Sequence, residues 1–165
     1  MDIKNYEKKD KKVNMTLLYN LTSHGDSVGN FHNYWNNKGP TLTLVRNTKV
    51  YLCGGFTNQS WASRYNNGYG SANVNDPNAF LFSLEYKGKY PSYDGNNALY
   101  DSSSNGPSFW GANDLCIANN CTQNYSSCNF SYYFCGARAR SLTGGSYNFK
   151  VNELEVYKID IIKII

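Results

Sequence analysis

Apolar and polar positions alternate in short runs along most of this chain, and only one stretch carries a helical period. In Asp26–Trp35, Val28, Phe31 and Trp35 fall at i, i+3 and i+7, and Asp26 or Ser27 stands ready as a cap. Gly39-Pro40 then supplies a stop, because Gly tolerates the terminating conformation and Pro cannot continue the ladder. After that the signal is that of strands. Thr41-Leu42-Thr43-Leu44 alternates, and Val50-Tyr51-Leu52-Cys53 follows a polar turn at Arg46-Asn47-Thr48-Lys49, as in a hairpin. Ala79–Leu84 is a compact apolar run, Leu115–Ala118 a shorter one. Tyr147, Phe149 and Val151 alternate with polar neighbours, as do Leu154 and Val156 with Glu153 and Glu155. Many short strands with Gly-, Asn- and Ser-rich links predict an antiparallel, two-layer β architecture. The expected core includes Leu42, Leu44, Phe80, Phe82, Leu115, Phe149, Leu154 and Val156.

Composition sharpens this reading. The 165 residues hold 15 Tyr, 8 Phe and 3 Trp, enough apolar surface to order a chain whose charged fraction is only 17%. No apolar run reaches the roughly 20 residues of a membrane span. The opening segment has the charge of a signal peptide but no adequate apolar region, and the five cysteines are an odd number. A cytoplasmic protein with reduced thiols is therefore expected. Residues 1–13 read as a loose Lys-rich leader and residues 14–165 as a single domain. Half of the net charge of +4 sits in that leader, where five Lys face Asp2, Glu7 and Asp10. Nucleic-acid binding would need a basic patch on the folded part, so it ranks as the weakest reading.

Catalytic groups are scarce. His24 and His32 belong to no paired-ligand spacing, and no P-loop, nucleophile elbow or dinucleotide fingerprint is present. Asp101–Gly106 begins like a calcium loop, but Ala112 stands where the bidentate Glu belongs. Cys116, Cys121, Cys128 and Cys135 are too widely spaced for a structural zinc site, so no metal and no cofactor is expected. Cys121, Cys128 and Cys135 lie in polar loops and are the candidates for a thiol antioxidant or redox sensor, while Cys53 and Cys116 read as small core residues. Glu153 and Glu155, at i and i+2 of a strand, share one face. They read as a solvent-facing edge in preference to a two-carboxylate catalytic pair. Trp61 and Trp110 offer large rigid contact area; each is either a surface anchor for a partner or a plug at an end of the sandwich.

An ordered set of stretches resembles the TLDc domain family. These are Leu17–Tyr19, Gly25-Asp26-Ser27 with Phe31-His32, Lys38–Leu44, Gly54–Trp61, Asp76–Leu84, Gly106–Leu115 and Tyr147–Tyr157. Asn78 stands where many members have Glu, and Cys116 where Trp is common. The resemblance implies a sandwich of two antiparallel β-sheets with a few short marginal helices, and a domain without established catalysis. It further implies a protein-interaction role, with ties to oxidative-stress protection and to the cytosolic sector of the vacuolar proton pump. The candidate partner-binding residues are Trp61, Trp110, Gly111, Asp114, Glu153 and Glu155.

Overall fold

A computed structural model describes residues 11–62, 71–109, 114–129, 134 and 139–163. The chain opens with β1 (Lys11–Asn20), and Asn20 then caps the short helix α1 (Leu21–His24) by accepting from the Thr22 and Ser23 amides. Ser27 caps α2 (Val28–Trp35), whose Phe31 and Trp35 are buried, as their spacing predicts. The hairpin β2 (Thr41–Asn47) and β3 (Leu52–Thr57) follows, then β4 (Ser71–Val74), β5 (Phe80–Ser83), β6 (Gly88–Pro91) and β7 (Leu99–Ser102). Three two-residue strands come next, β8 (Ser108–Phe109), β9 (Leu115–Cys116) and β10 (Ser126–Ser127). The short helix α3 (Ala139–Thr143), β11 (Asn148–Phe149) and the long β12 (Val151–Lys163) complete the described chain.

These strands form two six-stranded antiparallel sheets, in the orders β1-β12-β2-β3-β5-β6 and β11-β10-β9-β8-β7-β4. The molecule is the expected mainly β sandwich with short helices at its margin. The chain crosses from the second sheet to the first at Lys150. Phe149 and Val151 are buried before the crossing is complete, Leu154 and Val156 after it, so the inward parity slips by one. A bulge between Val151 and Glu153, where β12 pairs with β2, absorbs that extra residue. Among the described residues no helix is long and apolar enough to cross a membrane.

The core between the sheets holds Tyr19, Val45, Leu81, Leu154 and Val156 of the first sheet against Leu99, Phe109, Leu115 and Phe149 of the second. Half of the expected core residues are here, and half are not. Leu42, Leu44, Phe80 and Phe82 belong to a separate cluster with Phe56, Tyr157 and Ile159 on the outer face of the first sheet. The inward positions of β2 are Thr41, Thr43 and Val45, and Leu81 rather than its two Phe neighbours points inward from β5. Alternation alone misplaces these strands: β5 is apolar at both parities, and in β2 it favours the leucines, which face outward. A second correction concerns the leader. Lys11, Lys12 and Val13 are not loose but lie in β1, opposite Lys163, Ile162 and Ile161.

Candidate partner-binding surface

Trp61 is a plug and not a surface anchor. It is 2% exposed, its indole Nε1–H donates to Thr41 Oγ1 at 3.0 Å, and its ring meets Phe109 edge-on at 5.9 Å. A ring with one polar tip is held inside when that tip finds a buried acceptor, and Thr41 supplies it. Asp114 is likewise fully buried, immediately before β9. Trp110, Gly111 and Cys135 lie outside the described residues.

Two of the thiols, Cys121 and Cys128, take the opposite place to the one their sequence surroundings suggest, while Cys53 and Cys116 are buried as expected. Cys121, Cys128 and Cys53 are fully buried, and Cys116 is buried with 9% exposure. Burial, with a smaller push from the Asp26 carboxylate, raises the Cys121 thiol to about 12. Burial again, then Asp114, does the same for Cys128, also to about 12. Burial also lifts Cys116 and, with Cys128 and Glu85 nearby, carries Cys53 well above the ordinary thiol range. Reactivity requires an accessible thiolate, and neither condition is met at these four sites. Polar loop composition misled here because the loop backbone is at the surface while the cysteine side chains turn inward.

The two carboxylates do reach the surface. Glu153 is exposed and pairs with Arg46 Nη1 at 3.2 Å. Glu155 is half-buried; Asn20 Nδ2 donates to its Oε1 at 3.1 Å and the Tyr157 hydroxyl to its Oε2 at 2.8 Å. Desolvation, reinforced by that hydrogen bond to Glu155, raises Tyr157 to about 12. Both acids are thus tied to neighbours on one face, at the border of the outer apolar cluster. Register places Phe80, Phe56, Leu42, Tyr157 and Leu17 in one row across five strands. Phe82, Gly54, Leu44 and Glu155 form the row beside it. Phe56 and Phe80 stack at 5.2 Å, and the Lys89 ammonium sits 4.1 Å from the Phe80 ring centre. Leu17 is 48% exposed, and Leu44, Phe56, Phe80 and Tyr157 are half-buried.

This outer face joins the two carboxylates to a broad apolar surface that sequence reasoning had assigned to the core. A signal for it exists in the chain. Phe80-Leu81-Phe82 is apolar at both parities, which in a strand means two apolar faces. The histidines stay structural: His24 Nδ1 accepts from the Asn20 amide at 2.9 Å, and His32 Nε2 meets the Asn105 carbonyl at 3.1 Å. Among the described residues no three His, Cys, Asp or Glu side chains converge as a metal site.

The class these features define is a β-sandwich domain with a partly open apolar sheet face. The family model described as TLDc domain matches residues 3–160, and the chain belongs to the TLDc domain family. Among curated relatives it is similar to MTOR-associated protein MEAK7 of Danio rerio, 40% identical over 45 residues. That stretch is 27% of this chain and 10% of the relative. It is also similar to TBC1 domain family member 24 of Xenopus tropicalis, 30% identical over 69 residues, 42% of this chain and 12% of the relative. The corresponding Xenopus laevis protein is 29% identical over the same length. The matched stretches thus span only about a tenth of these longer proteins.

Proposed function

We propose that this TLDc domain is a non-catalytic, cytoplasmic protein-interaction module that takes its partner across the outer face of the first sheet. The observation that carries the reading is the second apolar cluster, centred on Leu42 and Phe82, which packs against no other layer among the described residues. Contiguous apolar surface of this kind costs solvation unless something covers it, and the carboxylates at its border give such a contact direction. The family resemblance supports the cytosolic sector of the vacuolar proton pump as the partner. The name of the zebrafish relative records an association for that protein, which fits the same class of role. Protection from oxidative stress then follows from the partner's activity and not from chemistry at Cys53, Cys116, Cys121 or Cys128, which are buried. Equilibrium binding of the purified pump sector to the wild-type chain and to a Leu44→Asp variant tests this. Binding that the variant loses while remaining folded supports the reading; absence of wild-type binding, or equal binding by both, removes it.

A further inference from the structure

β2 pairs with β12 from Val151 to Lys158 and the Ile159 amide donates to the Pro40 carbonyl; from Asp160 on, β12 has only β1 beside it among the described residues. Lys11–Asn14 and Asp160–Lys163 therefore form a two-stranded ribbon at the edge of the sandwich. Lys11 and Lys163 are direct cross-strand partners on one face of that ribbon. Two like charges so placed repel each other. Neither has an acidic partner among the described residues: Asp160, the nearest acid in the ribbon, is taken by Lys158 at 2.9 Å. Lys12 is also exposed, opposite Ile162 on the other face.

Beside these cations stand apolar groups that solvent should not favour. Ile161 is 60% exposed and Ile162 46%, and they point to opposite faces of the same strand end. Val13, paired with Ile161, extends the apolar row behind Lys11 and Lys163. The neighbouring sequence keeps the same character: Ile164 and Ile165 follow Lys163, and Lys4, Lys8 and Lys9 precede Lys11, against Asp2, Glu7 and Asp10.

We propose that this ribbon end docks on an anionic bilayer surface. Ile161 and Ile162 enter the boundary between headgroups and acyl chains. Lys11, Lys12 and Lys163 lie along the acidic headgroups, their aliphatic stems on the apolar side. Edge lysines also guard open strands against pairing with other chains. That role explains Lys11 and Lys12 on β1, but not a third lysine directly opposite, nor isoleucines exposed on both faces. An acidic protein would recognise the same charges, yet a narrow ribbon with apolar groups on two sides offers no groove to a protein segment, whereas a bilayer accepts such a tip from any side.

Flotation of the full chain with phosphatidylcholine vesicles, with and without phosphatidylserine, tests the proposal at low and high salt. The expected result is binding to the phosphatidylserine vesicles only, weakened by salt. Combined Lys11→Gln, Lys12→Gln and Lys163→Gln should lower the affinity roughly fivefold per lysine. Combined Ile161→Asn and Ile162→Asn should lower it by about tenfold or more; if that variant does not fold, Ile161→Ala with Ile162→Ala serves in its place. No binding to anionic vesicles at low salt would overturn the proposal. So would equal binding to neutral ones, or undiminished binding by the lysine variant. Loss of protein capture alone in the lysine variant, without vesicle binding by the wild type, would assign the ribbon to an acidic protein instead.

Discussion

A Cβ built on Gly55 of β3 would stand 2.4 Å from the ring of Phe109 in β8, so the bare backbone at one position seats the ring at the other. Phe109 is fully buried there and meets both Trp61 and Phe134 edge-on. The preceding glycine serves the other face, where a Cβ on Gly54 would stand 1.9 Å from the Thr43 carbonyl oxygen and 2.9 Å from the Phe82 ring. The Gly-Gly pair thus allows one strand to approach aromatic rings on both of its sides. Gly55→Ala should destabilise the fold by about 1–3 kcal/mol through overpacking. Phe109→Leu in the same chain should recover part of that loss. Urea denaturation of the two single variants and the double variant measures the coupling. Strictly additive losses would mean that the two residues do not share the space described.

Trp61 is the hinge between the two ways of reading the aromatic residues. Because it lies in the core with its indole N–H bonded to Thr41, Trp61→Ala should cost about 3–5 kcal/mol of stability. Any loss of partner binding in that variant should track unfolding. Thermal unfolding and binding measured on the same sample check this. Stability held within about 0.5 kcal/mol with binding lost would return Trp61 to the surface.

The buried thiols make a prediction about alkali. Cys121 and Cys128 are raised from the ordinary value of 9.0 to about 12 by burial. Below pH 9 the thiol is protonated in folded and unfolded chains alike, and its contribution is constant. Between about 9 and 12 only the unfolded chain releases the proton, so stability must fall as the pH rises through that window. Denaturation midpoints should therefore drop from pH 8 to pH 10.5, by less in a variant with both cysteines changed to Ala. Alkylation near neutrality should be slow at all four described cysteines. Rapid native-state labelling of Cys121 or Cys128 would revive direct thiol chemistry.

Much of the fold was legible because its signals are local. The Val28, Phe31 and Trp35 period, Ser27 as cap and Gly39-Pro40 as stop gave α2, and alternation located the long strands. The parity slip between Val151 and Leu154 also lies open in the sequence, once a bulge is allowed. What could not be read was which face of a strand looks inward. Thr41-Leu42-Thr43-Leu44 invites the leucines into the core. Thr41 goes inward to a buried donor from Trp61, Thr43 follows by strand parity, and the leucines find Phe56, Phe82 and Tyr157 outside. The candidate surface followed the same rule: alternation placed Glu153 and Glu155 on the solvent side of their strand, while the apolar residues around them were taken for core.

The proposed partner surface is the outer face of the first sheet. Its most direct test compares Leu44→Asp with Tyr147→Ser, an exposed position in the segment leading to the second sheet. Equilibrium binding of the purified cytosolic sector of the vacuolar proton pump is measured for both and for the wild type, beside their thermal stability. At least about a tenfold loss of affinity is expected for Leu44→Asp with the fold retained, and no change for Tyr147→Ser. Equal affinity across all three proteins, or no binding by the wild type, would contradict it.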